Sequence, residues 1–135
     1  MENLKPILVT CAIIKKEDKY LITQRPDDGR SNGGRWEFPG GTLDHKENPY
    51  DCIVREIEEE MNIKITADEI FEIASNVYGE NKHVVLLAFH CTYKSGEIEK
   101  KDIADYKWLS LGEMKDYDIT EADLPIIETL KRKYS

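Results

Sequence analysis

Residues 40–63 read GGTLDHKENPYDCIVREIEEEMNI. A Gly-Gly pair leads through a short polar loop into a segment that ends in Arg55-Glu56-Ile57-Glu58-Glu59-Glu60. The boundary residues predict a helix. Asn48 suits the N-cap, Pro49 the first helical position, and Asp51 the third, where the helix dipole favours a negative charge. The helix ends at Met61-Asn62, since Asn tolerates a left-handed C-cap second only to Gly. At 100° per residue, Tyr50, Val54, Ile57 and Met61 fall within about 60° of arc and form an apolar stripe. Glu56, Glu59 and Glu60 lie on another arc centred about 125° away. Residues three and four apart on a helix are neighbours, and each like-charged pair costs roughly 0.2–0.5 kcal/mol. Either water screens these carboxylates or a cation sits among them.

The totals narrow the possibilities. At 135 residues, 40% hydrophobic and 34% charged, the chain is expected to form one domain (1–135) that buries a core. A net charge of −8 argues against stable nucleic-acid binding, which requires a basic face. An anionic substrate remains compatible when bound metal inverts the local field. No run approaches the roughly 18–20 apolar residues of a membrane span, and MENLKPILVTC lacks the basic start of a secretory leader. Cys11, Cys52 and Cys91 show neither a disulfide framework nor a zinc spacing, so free buried thiols in a cytoplasmic protein are expected.

Outward from the helix, Ile7–Lys15 (ILVTCAIIK) reads as a buried strand. Tyr20–Gln24 is its hairpin partner across the polar Lys16–Lys19 turn. Residues 25–35 form an exposed loop, and Trp36–Gly41 a short extended segment halted by a glycine turn. Ile70–Tyr78, His83–Tyr93 and Tyr106–Leu109 read as further strands. Ser110 caps a small helix over LGEMKD, and Asp123–Lys133 forms a last amphipathic helix with its cations at the C-terminal end. Helices interleaved with a hairpin and further strands predict a mixed sheet covered by helices, in the α/β or α+β class. On the carboxylate helix, glutamates at i, i+3 and i+4 present the oxygen ligands that magnesium and manganese favour, for chemistry on phosphates.

The spacing within 41–63 resembles the Nudix box, G-x5-E-x7-R-E-U-x-E-E-x-G-U with U aliphatic. Gly41, Glu47, Arg55, Glu56, Ile57, Glu59, Glu60 and Ile63 match, and only Asn62 departs, standing where the pattern has Gly. The resemblance implies a Nudix fold, an α/β/α sandwich with a mixed β-sheet, and a hydrolase acting on phosphorus anhydrides with Mg²⁺ or Mn²⁺. It implies that Glu56, Glu59 and Glu60 are metal ligands, with the Gly40 carbonyl and Asp102 as further candidates. Glu47 and Arg55 match the pair that braces the loop on the helix. The general base is left open among Glu56, Glu47 and a carboxylate before Trp108, either Asp102 or Asp105.

Gly34–Gly41 (GRWEFPGG), with Gln24-Arg25 before it, resembles the MutT-type nucleotide-sanitising hydrolases and related CTP pyrophosphohydrolases within that family. This places Arg25, Trp36, Phe38, Tyr78 and Asp123 as candidate substrate contacts. Asp123 has an alternative role as N-cap of the last helix, and Trp36 and Phe38 as core. The implied substrate is a small (deoxy)nucleoside di- or triphosphate, with an oxidised purine such as 8-oxo-dGTP leading. Pyrimidine triphosphates come next, then ADP-ribose-type compounds and a non-catalytic nucleotide-binding domain. The expected assembly is a monomer or homodimer.

Overall fold

The computed structural model describes residues 5–134, so residues 1–4, part of the stretch read for a leader, lie outside the described residues. In chain order the strands and helices are β1 (Ile7–Lys16), β2 (Lys19–Gln24), β3 (Trp36–Glu37), β4 (Gly40–Thr42), α1 (Pro49–Met61), β5 (Lys64–Tyr78), β6 (Lys82–Ser95), β7 (Asp105–Leu109) and α2 (Leu124–Tyr134). The strands form a mixed sheet in the order β3-β2-β1-β6-β5, with β4 added to β1 and β7 to β2. β1 runs parallel to β6 from Ile7↔Val84 to Ile14↔Cys91, and β5 and β6 form a long antiparallel pair interrupted by bulges.

Alternation along β1 divides the core in two. Cys11 and Ile13 pack with Tyr20, Ile22, Leu86 and with Ile126, Ile127 and Leu130 of α2. Ala12 and Ile14 pack with Leu21, Phe89 and with Ile53, Ile57 and Met61 of α1. Successive strand residues point to opposite faces, so the apolar stretch Cys11–Ile14 of β1, buried at every position, is what a sheet covered on both sides requires. The result is the expected α/β/α sandwich.

The strand pairing creates the cleft. β1 pairs with β2 only at the hairpin end, Lys15↔Tyr20 and Lys16↔Lys19. Further back along β1 its partner is β4, with Val9↔Thr42, Thr10↔Gly41 and Cys11↔Gly40 in register. The backbone from 36 to 42 therefore crosses from β2, where Thr23 faces Glu37, to β1. The Gly-Gly pair read from sequence as a turn is in fact a strand. A Cβ on Gly40 would stand 1.9 Å from the Thr10 carbonyl oxygen, so the glycine is there for close backbone approach.

Helix α1 begins and ends where its residues predict. Asn48 Oδ1 accepts from the Tyr50 N–H at 2.8 Å, and Asn62 takes the left-handed conformation at φ 56° while its N–H reaches the Glu58 carbonyl. The buried face is rotated from the predicted stripe: Cys52, Ile53, Ile57 and Met61 are buried, while Tyr50 is exposed and Val54 only half-buried. On a helical wheel this rotation brings Glu56 and Glu60 to the border of the core, between Cys52 and Ile53. Three boundaries also shift. β5 starts at Lys64, well before Ile70; the helix after Ser110 is one 3₁₀ turn, Glu113–Asp116; and Asp123 ends a separate 3₁₀ turn ahead of α2.

Candidate active site

The predicted repulsion on α1 is answered in part by its own arginine. Arg55 grips Glu47 with two prongs, Nε to Oε2 at 2.7 Å and Nη2 to Oε1 at 2.9 Å. Its Nη1 donates to Glu56 Oε1 at 2.9 Å and to Glu59 Oε2 at 3.0 Å. Asp44 N–H also donates to Glu47 Oε1, closing the loop on the carboxylate that Arg55 holds. The guanidinium holds the Glu47 carboxyl down at about 2, and the surrounding carboxylates push Arg55 further up. Gly41 makes room for this arrangement: a Cβ there would fall 2.1 Å from Glu56 Oε2.

Glu60 has no such partner. It points inward, and its Oε1 is buried without a hydrogen bond. Burial, then repulsion from Glu37, Glu56 and Asp102, raises its carboxyl well above the usual range; the Gly40 amide offsets this only in part. Burial likewise raises Glu56 against the pull of Arg55, and Glu37 against the pull of Arg25.

These groups line a cavity of about 180 Å³ walled by Gly40, Glu37, Glu56, Glu60, Asp102, Arg25 and Arg30, among others. Asp102 arrives on a loop that caps the helix end, where the Lys101 and Asp102 amides donate to the Glu60 carbonyl. Among the described residues no three acidic, His or Cys groups converge closely enough to ligate an ion as they stand. Their chemistry fits a hard divalent cation nonetheless. Every donor is an oxygen, one is buried without a partner, and positive charge would relieve their repulsion. Glu59 lies outside this cavity, exposed and engaged with Arg55. Asp105 is also outside, paired with Lys100 at 3.2 Å.

A second cavity, of about 540 Å³, is lined by Arg25, Glu37, Phe38, Tyr78 and Asp123, with Val9, Cys11, Val84 and Leu86 among its apolar walls. Asp123 is 4% exposed. Its Oδ2 accepts the Phe38 N–H at 2.7 Å, so it braces the 36–42 crossing and does not cap α2. Burial, then repulsion from Glu37, lifts its carboxyl well above the carboxylate range. Trp36 lies outside the lining and packs edge-on against Tyr117 at 5.3 Å between ring centroids.

Four residues border both cavities: Arg25, Ser31, Glu37 and Gly40. Glu37 was missed by motif reasoning, although the sequence carries a signal for it. It is the charged residue between two buried aromatics, Trp36 and Phe38, in a two-residue strand whose alternation turns it away from them.

Comparison with known proteins agrees with this geometry. The NUDIX domain family model matches residues 5–130. The chain is 32% identical over 126 residues to the CTP pyrophosphohydrolase of Escherichia coli K12, covering 93% of this chain and 91% of that one. It is 29% identical over 130 residues to the 8-oxo-dGTP diphosphatase of the same organism, covering 96% and 99%. The crystal structure of the MutT protein from Methanosarcina mazei Go1 superposes with a TM-score of 0.86 at 23% identity, covering 98% of each chain, and so shares the fold. An arginine-braced loop, a row of helical carboxylates around one orphaned oxygen and a match along nearly the whole chain agree: the chain belongs to the Nudix hydrolase family.

Proposed function

We propose that the chain is a Mg²⁺-dependent pyrophosphohydrolase that cleaves a (deoxy)nucleoside triphosphate to the monophosphate and pyrophosphate, with 8-oxo-dGTP as its preferred substrate. One observation carries this reading: the carboxylate cavity and the larger, half-apolar cavity share a border at Arg25 and Glu37. A single ligand spanning that border sets its phosphates among Glu56, Glu60 and Asp102 and its base near Phe38, Tyr78 and Asp123. A bound divalent ion would supply charge neutralisation on the phosphates and lower the pKa of the attacking water. Gly40, Glu56, Glu60 and Asp102 would hold it, with Glu59 available from the same helix. Glu47, held near 2 and clamped by Arg55, is a poor base. Glu56 borders the cavity, and Arg55 engages only its Oε1, so its other oxygen is the better candidate to accept the proton of the water that adds across the α–β anhydride.

Base choice follows from the protonated form of Asp123. A neutral carboxyl both donates and accepts. Guanine presents two adjacent acceptors, O6 and N7, whereas the 8-oxo base carries a proton on N7, so O6 and N7–H match the donor and acceptor of one carboxyl. The same carboxyl also matches N3 and the N4 amine of cytosine, which supports CTP as the second reading alongside the similarity to a CTP pyrophosphohydrolase. The test is a nucleotide panel with Mg²⁺ and product identification. Monophosphate plus pyrophosphate, fastest from 8-oxo-dGTP, is expected. Equal rates on dGTP and 8-oxo-dGTP would remove the sanitising reading, and no turnover of any triphosphate would remove the enzymatic one.

A further inference from the structure

We propose that Glu37 is the positioning residue of the cleft: it holds the Arg25 guanidinium at the neck between the two cavities, where the sugar and first phosphate of a nucleotide must pass. The inference rests on the function proposed above and assigns the neck to a residue outside the Nudix box. Arg25 Nε donates to Glu37 Oε2 at 2.9 Å, and Nη1 donates to the Ser31 carbonyl at 2.9 Å. Among the described residues no other acceptor engages it, so of its five N–H groups most remain for a ligand. Arg25 and Glu37 both border each cavity, which is the place where a phosphate-binding fork is useful.

The scaffold beneath them does not depend on the pair. Arg25 N–H donates to the Arg35 carbonyl and Gly34 N–H to the Arg25 carbonyl. The β2–β3 ladder aligns Thr23 with Glu37, and Thr23 Oγ1 donates to the Glu37 carbonyl, neither of which involves the Glu37 carboxylate. Removing the carboxylate therefore frees the guanidinium without releasing the strand. Two competing roles are close at hand, because Glu37 shares a cavity with Glu56, Glu60 and Asp102: it is also placed to be a metal ligand or a base.

The test compares Glu37→Ala, Glu37→Gln, Arg25→Ala and the Arg25/Glu37 double alanine variant. Positioning predicts that Glu37→Ala raises KM for the nucleoside triphosphate about tenfold, with a much smaller change in kcat. Glu37→Gln, whose amide oxygen still accepts from Arg25 Nε, recovers most of that loss. In the Arg25→Ala background Glu37→Ala adds little, as coupled residues should. Mg²⁺ alone, titrated by calorimetry, binds Glu37→Ala as it binds the unaltered chain. Weakened Mg²⁺ binding, an equal fall in kcat for the Gln and Ala variants, or multiplying Arg25 and Glu37 effects would each overturn the proposal. Binding of an α,β-methylene nucleoside triphosphate gives the same comparison without turnover. If the unaltered chain binds that analogue but hydrolyses no triphosphate, the enzymatic reading fails while the role of Glu37 is still decided; if it does not bind, the positioning role fails too. Melting temperatures of all four variants near that of the unaltered chain separate positioning from misfolding.

Discussion

The two adjacent glycines at the mouth of the cleft should fail in opposite ways when each gains one methyl group. At Gly40 the new Cβ lies 1.9 Å from the Thr10 carbonyl oxygen and 2.7 Å from Cys11 Cα. Ordinary contact begins near 3.4 Å, so β4 must retreat from β1 by about 1.5 Å, and both obstacles are backbone. That breaks the β1–β4 register and loosens the seat of α1, which packs on both strands. Overpacking of this kind costs about 3 kcal/mol or more, and for a chain of this size the melting temperature should fall by about 10 °C. At Gly41 the new Cβ meets Glu56 Oε2 at 2.1 Å and Cδ at 2.3 Å. A glutamate carboxylate can swing aside, so Gly41→Ala should keep stability within about 1 kcal/mol. The displaced carboxylate, however, leaves its place by more than an ångström, which lowers turnover on the order of a hundredfold. Urea denaturation paired with pyrophosphate release and Mg²⁺ titration reads both effects. A Gly40→Ala protein of unchanged stability, or a Gly41→Ala protein with unaltered Mg²⁺ affinity and rate, would refute the close-approach reasoning.

Glu60→Gln should stabilise the metal-free protein at neutral pH, because burial and three neighbouring carboxylates oppose ionisation of this carboxyl. In Mg²⁺ the order should reverse, which thermal melts with and without the ion would show. Asp123 has a folded pKa above its unfolded value, so its contribution to stability is full below the unfolded pKa and is lost as pH rises through the folded one. Asp123→Asn should therefore flatten the decline in urea midpoint between mildly acidic and mildly alkaline pH, and a slope equal to that of the unaltered chain would contradict the shift. Arg55→Lys loses the two-pronged grip on Glu47 and the link to Glu56 and Glu59; turnover should fall at least about tenfold while the helix stays folded by circular dichroism. Cys11, Cys52 and Cys91 are all buried, and burial pushes the Cys91 thiol up to about 12. None should react with a thiol reagent at pH 8 in the native protein, and all three should react in urea.

Local rules were sufficient wherever the controlling interaction lies within a few residues. Asn48, Pro49 and Asn62 bound α1 because capping is a contact between a side chain and the nearest backbone groups. The β-branched, largely apolar run of β1 announced a strand covered on both faces. The 41–63 spacing brought Glu47 to Arg55 because one helix and one short loop span the distance. No helix of the described residues is long and apolar enough to cross a membrane, as the hydropathy of the chain leads one to expect.

Long-range packing decided the rest. The apolar stripe of α1 was drawn about Tyr50 and Val54, yet the sheet beneath selects Ile53 and Cys52, and that rotation moves Glu60 from a solvated face to a buried one. Asp123 reads locally as a cap for the helix that follows it, but its carboxylate goes to Phe38, 85 residues away. Glu37 resembles any charged residue in a short strand until β1 parts from β2 and opens a neck beside it. A sequence by itself determines the chemistry a helix and its caps can offer, because those energies are local. Which carboxylate loses its water, and which two cavities come to share a wall, depends on strands brought together from opposite ends of the chain, and only the tertiary structure contains that.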